Sequence, residues 1–371
     1  MQRARPKTQD KNASDTLAIT STRIVNFRGF ADVKLDDIRR INILVGDNGS
    51  GKTAFLEALF LVAASSLEEI LVMRRGRGLP TGGKTSSEDN VWEFLLEDFF
   101  HNFNKNQNVE LSIKGNNNYK RKLRIFREFK PALVRIDNAN AAPGPVQSPI
   151  SFEWTEDNQR KGKVVTPEAD EKRGTLVIPH TPELKIRGKI FLPNTITSPD
   201  PEEYSNLRKA GKDKEFLEEV KKQFPNIEDM SVEITHGNSM VYAKRKSERK
   251  LMPINLLSNE LCKIFNILLS LTAPGDHPGV LFVDEMDNGI HFQRHELFWR
   301  QINELSRKYG TQLFASVHSR EFLDAILPAA RKHPEDFSII RIYQEEGAGK
   351  AAIVSGPKAI NLIESGLEFR L

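Results

Sequence analysis

Apolar residues along this 371-residue chain form short compact runs, separated by segments with apolar positions at helical spacing. A compact run bounded by turn residues is typical of a buried strand, and an i, i+3, i+4 repeat is typical of a helix. Strands are predicted at Ile19–Asn26, Ile41–Val45, Val109–Ile113, Arg121–Phe129, Gly279–Val283 and Thr311–Val317, and a hairpin at Phe337–Val354 with its turn at Gly347–Gly349. Helices are predicted at Thr53–Ser65, Pro201–Ala210, Lys214–Phe224, Asn255–Leu271, Gln293–Lys308 and Arg320–Ala330. This succession of strands and helices predicts an α/β fold.

Two segments lack a periodic pattern. Arg74–Asp89 is rich in Gly, Ser and Arg and is interpreted as an exposed loop. Lys130–Arg187 has frequent Pro, Gly and charges and allows no assignment of elements.

Composition narrows the class of protein. The 54 Lys and Arg against 50 Asp and Glu give a net charge of +4, which allows nucleic acid as a partner without requiring it. Cys262 is the single cysteine, so no internal disulfide is expected. No run approaches the roughly 20 apolar residues that span a bilayer. The polar start, Met1–Leu17, lacks the apolar core of a signal peptide, so we expect a cytoplasmic protein without membrane contact.

The pattern G-x-x-x-x-G-K-[ST] occurs at Gly46–Thr53 and again at Gly78–Thr85. A phosphate loop needs a buried strand before it and a helix after it, so that loop amides point at the anion. Only the first match has both, and the second contains Pro80, which lacks an amide donor. The second match is interpreted as a flexible basic loop. Nucleotide binding is predicted at Gly46, Asn48, Gly49, Ser50, Gly51, Lys52 and Thr53.

The residue types of the first loop indicate their roles. Glycines let the backbone approach phosphates closely. The Lys52 ammonium is expected against the β- and γ-phosphates, and the Thr53 hydroxyl is expected to bind Mg²⁺.

A second acidic site follows the apolar run Val280–Val283. Asp284 at this strand end is predicted as a Mg²⁺ ligand, and Glu285 is predicted to orient the attacking water. An acidic pair at a strand end is usually just solvated, and its position downstream of a phosphate loop favours the functional role. His318, at the end of the next predicted strand, is expected to reach the γ-phosphate.

These residues resemble the ABC-type ATPases of the RecF/SMC/OLD kind. The matching pieces are Ile24–Phe30, Asn42–Val45, Phe282–His291 and Phe314–Ser319. They look most like the OLD-type ATPases, including those of the bacterial anti-phage modules PARIS (AriA-like) and Septu (PtuA-like). The resemblance implies an ATP and Mg²⁺ site with a Walker A pair, a Walker B pair and a switch histidine, which are Lys52 and Thr53, Asp284 and Glu285, and His318. Asp287 falls in the D-loop.

The resemblance also implies an architecture. It is a P-loop NTPase of ABC-ATPase type, with a mixed sheet, an antiparallel β lobe and a helical signature subdomain. The expected division is a disordered lead-in at 1–18, the first part of the ATPase head at 19–130, an insert or helical lobe at 131–235, and the second part of the head at 236–371.

Members of this group carry a signature motif that faces the nucleotide of the other subunit. The corresponding stretch here is Leu256–Leu261, which lacks the usual glycines. Ser258 is the residue left to contact a γ-phosphate, and the missing glycines reduce close backbone approach.

The function expected from these features is a Mg²⁺-dependent ATPase that closes as a head-to-tail dimer or a higher homo-oligomer. OLD nucleases append a Toprim domain, whereas Ser319–Leu371 offers a hairpin and a helix, so no nuclease of its own is expected. The chain would therefore hold or release a separate effector, such as a Toprim- or HNH-type nuclease, in anti-phage defence.

Two alternatives remain open from the sequence. One is a RecF-like DNA-binding ATPase in repair, and the other is an ATP-binding scaffold with little turnover. Basic clusters that could contact nucleic acid, or could simply be solvated, lie at Arg74–Arg77, Lys120–Arg124 and Lys244–Lys250.

Overall fold

The computed structural model describes residues 18–64, 67–79, 95–127, 150–157, 162–170, 175–177, 186–193, 198–272 and 279–366. The strands are β1 (Ser21–Phe27), β2 (Phe30–Leu35), β3 (Ile41–Val45), β4 (Val109–Lys114), β5 (Lys120–Arg127), β6 (Ile150–Glu156), β7 (Lys163–Val165), β8 (Glu168–Asp170), β9 (Thr175–Val177), β10 (Arg187–Phe191), β11 (Ile227–Thr235), β12 (Asn238–Arg245), β13 (Met252–Pro253), β14 (Gly279–Val283), β15 (Gln312–Ser316), β16 (Phe337–Glu345) and β17 (Ala348–Ser355). The helices are α1 (Lys52–Ala63), α2 (Glu68–Gly76), α3 (Pro201–Lys209), α4 (Asp213–Gln223), α5 (Asn259–Thr272), α6 (His295–Tyr309), α7 (Arg320–Asp324), α8 (Leu327–Lys332) and α9 (Pro357–Glu364).

A mixed sheet with strand order β10-β14-β15-β3-β16-β17 brings the predicted site loops together. Neighbouring strands from β10 to β16 are parallel, and β17 is antiparallel to β16. Strands β3 and β15 are buried at every residue, as expected for parallel strands covered on both faces. Ala315 of β15 is paired with both Ile43 and Val283, so the carboxyl ends of β3, β14 and β15 meet at one edge.

Helix α1 lies between this mixed sheet and an antiparallel sheet of order β2-β1-β4-β5-β6-β7. Phe55 packs against Phe30 of β2 with ring centroids 6.2 Å apart, and Phe60 packs against Phe282 of β14 at 6.1 Å. Thr53 is the one residue of α1 that is not buried. A helix covered on all sides needs no polar face, which explains its apolar sequence.

The opposite face of the mixed sheet packs against α3, α4, α5 and a small sheet of order β11-β12-β13. An aromatic cluster joins three of these helices: the Phe265 ring lies 5.6 Å from Tyr204 and 5.0 Å from Phe216. Burial of such rings against one another fixes α5 relative to α3 and α4. These elements form the expected helical subdomain, and α5 begins within the predicted signature stretch.

Several predicted helices have different bounds in the structure. The helix predicted at Asn255–Leu271 begins only at Asn259, because Ile254–Leu256 forms a 3-10 turn and Ser258 caps the helix. The helix predicted at Arg320–Ala330 is divided into α7 and α8, and Pro328 stands in the first turn of α8, where a missing amide is tolerated.

Two hairpins also differ from the prediction. The turn between β16 and β17 is formed by Glu346 and Gly347, which have φ of 52° and 78°, rather than by Gly347–Gly349. The hairpin β11–β12 was not predicted, because its half-exposed strands lack a strict alternation. Its turn is His236–Gly237, so the predicted division between residues 235 and 236 would separate two paired strands.

Other predictions fall partly or wholly outside the described residues. Most of the second G-x-x-x-x-G-K-[ST] match lies outside the described residues. The predicted lead-in at 1–18 also lies outside them, except for Ala18, which is buried and therefore belongs to the folded part. Arg74 and Arg75 belong to α2, so the loop predicted from Arg74 begins later. Within the described part of the chain, no helix is long and apolar enough to cross a membrane.

Candidate functional site

The loop between β3 and α1 has the backbone that the sequence predicts. Gly46, Gly49 and Gly51 have φ of 144°, 78° and 110°, which side-chain-bearing residues rarely adopt. A Cβ on Gly46 would lie 2.0 Å from the Ile342 carbonyl oxygen. The tight path of the loop along β16 therefore requires glycine at that position.

Lys52 is buried at the start of α1, and its ammonium lies under the loop. Nζ donates hydrogen bonds to the carbonyl oxygens of Gly46 at 2.8 Å and Asp47 at 3.0 Å. Desolvation lowers the pKa of Lys52, and the negative charges of Asp284 and Asp47 oppose this effect. A cation is thus held inside the loop, where the sequence predicts phosphate contact.

Thr53 and Asp284 meet at the carboxyl edge of the mixed sheet. The Thr53 hydroxyl donates to Asp284 Oδ2 at 2.6 Å. Ser316, at the end of β15, donates its hydroxyl proton to Asp284 Oδ1. Asp284 is buried, and its two neighbours on α1 and β15 therefore hold its carboxylate in one orientation.

Glu285 follows in a left-handed backbone conformation with φ of 49°. Its amide donates to Ser316 Oγ at 2.8 Å, so the same serine holds both predicted Walker B residues. Asn288 Nδ2 lies 3.5 Å from Glu285 Oε2. A non-glycine residue with positive φ costs on the order of 1–2 kcal/mol, which the surrounding contacts must offset.

Asp287 joins the predicted D-loop to the switch loop. Its Oδ2 accepts hydrogen bonds from the amides of His318 at 3.1 Å and Ser319 at 2.6 Å. The His318 side chain is exposed, and it lines a cleft of about 700 Å³ together with Gly46 and Asn48 of the phosphate loop. The structure therefore places His318 beside the phosphate loop, and its contact with a γ-phosphate stays a prediction.

Ser258 has a different place. Its hydroxyl accepts a hydrogen bond from the Leu261 amide at 3.3 Å, so it caps α5. Among the described parts of the chain, Ser258 makes no hydrogen bond to any residue of Gly46–Thr53. The structure therefore brings together the predicted Walker A, Walker B, D-loop and switch residues of one copy, and leaves Ser258 apart from them.

Sequence reasoning missed a buried charge cluster next to the site. Glu57, one helical turn after Thr53, is fully buried and accepts two hydrogen bonds from Arg77, at 2.6 and 2.7 Å. Arg28 lies 3.2 Å from the same carboxylate. The signal in the sequence is a single charge inside the otherwise apolar run of α1, which only a buried partner could satisfy.

Two of the three predicted basic clusters contain a buried arginine. Arg74 is buried and donates to the Leu95 carbonyl oxygen at 3.0 Å, and Arg121 is buried and pairs with Glu156 at 2.8 Å. These side chains stabilise the antiparallel lobe and are not available to nucleic acid. In the third cluster Arg245 pairs with Glu248 at 2.5 Å.

The donor set fits a magnesium nucleotide. The hydroxyl of Thr53 and the carboxylate of Asp284 are the oxygen ligands that Mg²⁺ prefers. The Lys52 ammonium at the N-terminus of α1 is a cation that a phosphate accepts, and it lies in the same loop.

One family model matches a segment of the chain that includes every predicted site residue. A family model described as "AAA domain, putative AbiEii toxin, Type IV TA system" matches residues 41–324, more than half of the chain. The match begins with β3 and ends with α7, and so includes both Walker motifs, the signature stretch and His318.

Three known proteins or domains are also similar to this chain over different lengths. An "ATP/GTP phosphatase" of Helicobacter pylori is 22% identical over 348 residues, which are 86% of this chain and 90% of that protein. The DNA replication and repair protein RecF of Idiomarina loihiensis is 48% identical over 44 residues, 12% of each chain. An Smc head domain with an extended coiled coil, bound to the C-terminal domain of ScpA and derived from Pyrococcus furiosus, has a TM-score of 0.51 at 12% identity and covers 94% of this chain and 98% of that one. At this identity the last likeness shows the fold alone.

Proposed function

This chain belongs to the AAA-domain family whose model it matches and is an ATPase of the AAA/ABC type, and on that premise we propose that it hydrolyses Mg²⁺-bound ATP in sites completed by a second copy of itself. The observation that carries the proposal is the 2.6 Å hydrogen bond between Thr53 and Asp284. It brings two oxygen ligands of the kind that Mg²⁺ takes to one point beside Lys52.

The residues of one copy divide the work. The loop amides and the Lys52 ammonium bind the phosphates and hold them at the N-terminus of α1. Glu285, at the strand end next to Asp284, orients the attacking water and accepts its proton. His318, on the cleft wall shared with Asn48, contacts the γ-phosphate.

Thr53 and Asp284 would hold the Mg²⁺, which when bound neutralises charge on the transferring phosphoryl group. Ser316 keeps Asp284 and Glu285 in register by contacting both. Catalysis of phosphoryl transfer depends on positioning and charge rather than on covalent chemistry, so rigidity at this serine supports the reaction.

The place of Ser258 supports a head-to-tail dimer. It caps α5 and makes no bond to the phosphate loop of its own copy in the described structure, so it is free to face the nucleotide of a second copy. Leu256, two residues earlier, is 74% exposed although apolar, which suits a surface covered on dimer formation.

We further propose that the ATP-bound dimer regulates a separate effector, for example a nuclease in anti-phage defence. The support is the family description, which names a toxin of a type IV toxin–antitoxin system, together with the resemblance to OLD-type ATPases. Co-purification of the chain with the product of an adjacent gene, with and without ATP, tests this role; equal recovery in both conditions contradicts it.

A RecF-like role on DNA is the second candidate, because 44 residues are 48% identical to a RecF protein. Lys246, Arg249 and Lys250 are exposed just before the signature stretch and could contact a phosphate backbone. This role predicts that duplex DNA stimulates the ATPase at low salt and that stimulation falls steeply as salt rises. Absence of stimulation at low salt excludes it.

The experiment that tests the catalytic proposal replaces Glu285. Glu285→Gln keeps the side-chain size and should bind ATP, form a stable dimer and lose turnover. Glu304→Gln, on the exposed face of α6, is the matched control and should hydrolyse ATP at the wild-type rate. Unchanged turnover in Glu285→Gln would refute the catalytic role. Single-turnover hydrolysis by the wild-type dimer separates an ATPase from a scaffold with little turnover, which the glycine-free signature would allow.

A further inference from the structure

Lys263 contacts the loop that carries the catalytic glutamate. It lies on α5, and its Nζ donates hydrogen bonds to the carbonyl oxygens of Glu285 at 2.8 Å and Asn288 at 2.6 Å. Both acceptors are main-chain atoms, so the ammonium holds the path of the loop rather than one side chain.

The positive charge of Lys263 lies near three carboxylates. The carboxylates of Asp284, Glu285 and Asp287 attract its ammonium, while burial lowers its pKa to about 8. The side chain is thus still charged at neutral pH. A partly buried ammonium with two carbonyl acceptors and three nearby carboxylates binds this loop more firmly than a neutral donor would.

A second residue of the same helix forms a hydrogen bond with the other end of the loop. Glu260, one turn earlier on α5, accepts a 2.8 Å hydrogen bond from the His291 amide through Oε1, and Arg294 lies 3.2 Å from the same oxygen. The first turns of α5 therefore hold residues 285–291 at both ends. Any displacement of α5 must move this loop with it.

Helix α5 also carries the predicted signature residue. Ser258 caps the helix, and Lys263 follows five residues later on the same rigid element. Glu285, whose positive φ of 49° stores strain, is held at its amide by Ser316 and at its carbonyl by Lys263. Its position is therefore sensitive to a small shift of α5, because a strained backbone persists only where its surroundings fix it.

We propose that Lys263 is a positioning residue that couples Ser258 to Glu285, so that nucleotide bound by one copy sets the catalytic geometry in the other. This inference rests on the proposed head-to-tail ATPase. A phosphate that engages Ser258 fixes α5, Lys263 transmits that position to the carbonyls of Glu285 and Asn288, and hydrolysis proceeds where both sites are filled.

A double-mutant cycle on kcat tests the coupling. Ser258→Ala and Lys263→Met should each lower kcat about tenfold with a nearly unchanged KM for ATP, because they affect the reacting geometry rather than binding. If Lys263 transmits the effect of Ser258, the double variant should also lose about tenfold, since the second change finds the connection already broken. Multiplied losses of about a hundredfold would show independent roles and overturn the proposal.

Two further variants separate coupling from packing. Lys263→Arg keeps the charge and the donors and should restore kcat to within about threefold of wild type. Lys221→Met, on the outer face of α4 and paired with Glu218 at 2.9 Å, is the matched control and should leave kcat unchanged. If folded Lys263→Arg is as slow as Lys263→Met, the lysine acts through packing and the proposal is wrong. If Lys263→Met does not fold, Lys263→Gln replaces it in the cycle with the same two outcomes.

The same measurements distinguish the two proposals. If Glu285→Gln fails to trap ATP, or if the wild-type protein has no Mg²⁺-dependent turnover, the proposed ATPase itself fails. If both behave as expected and the Ser258 and Lys263 losses multiply, the ATPase stands and only the coupling is rejected.

Discussion

The Thr53 hydroxyl donates a 2.6 Å hydrogen bond to the Asp284 carboxylate across a sequence separation of 231 residues. The parallel register produces this contact, because β15 pairs with both β3 and β14 and aligns their carboxyl ends. Thr53 is half-buried in a helix whose other residues are all buried, so its hydroxyl is available where the two strand ends meet. The site is thus a consequence of strand order.

Asp284→Asn should abolish Mg²⁺-dependent turnover. An amide keeps the size of the carboxylate but removes the negative charge that a divalent cation requires, so we expect the ATPase rate to fall at least about a hundredfold at saturating ATP. The measurement is ATPase rate against Mg²⁺ concentration. Asp324→Asn, at the end of α7, is the control and should give the wild-type curve. A normal magnesium curve for Asp284→Asn would rule out its assignment as a metal ligand.

Ser316→Ala should lower both stability and turnover. Its hydroxyl bonds Asp284 and the Glu285 amide in a buried position, so its loss leaves two polar groups unsatisfied, at about 1–3 kcal/mol each. Urea unfolding should show the loss of stability, and kcat should fall more than KM rises. Ser365→Ala, at the exposed end of α9, should change neither quantity. An unchanged kcat would show that Ser316 does not position Glu285.

Prediction from sequence succeeded where one local pattern carried the information. A glycine loop after a buried strand requires positive φ and close backbone approach, and Gly46 and Gly51 have both. The sequence also located Asp284 beside this loop, since the carboxyl ends of parallel strands converge, while its role as a magnesium ligand stays a prediction. Prediction failed where the partner is remote in sequence. Ser316 and Lys263 look like an ordinary strand residue and an ordinary helix residue until the fold brings each against the loop of Glu285.

The predicted start of α5 was wrong for a different reason. The apolar pattern continues through Leu256 and Leu257, so the helix was predicted to begin at Asn255. In the structure it begins at Asn259, because the Ser258 hydroxyl accepts a hydrogen bond from the Leu261 amide and caps the N-terminus. A capping hydrogen bond stabilises a helix by only about 1 kcal/mol, and the pattern of apolar residues does not reveal it.

Glu57→Ala should destabilise the fold far more than the loss of a surface ion pair. Its removal leaves Arg28 without its buried carboxylate partner and releases Arg77, and breaking a buried pair in this way costs about 3–5 kcal/mol. The comparison is Asp32→Ala, whose pair with Arg23 is half exposed on both sides and should contribute little. Urea midpoints measure both variants. Similar midpoints would show that the cluster around Glu57 is not a stabilising element.

The single thiol, Cys262, should report on the opening of α5. It is fully buried next to Lys263, and desolvation raises its pKa to about 11, so neither exposure nor ionisation favours reaction at neutral pH. An opening free energy of about 3 kcal/mol would slow labelling by an aromatic disulfide more than a hundredfold relative to the urea-unfolded chain. If ATP and Mg²⁺ fix α5 through Ser258, they should slow labelling further, and Lys52→Ala should remove that protection. Rapid labelling of the native protein, or equal rates with and without nucleotide, would show that α5 is not fixed by the site.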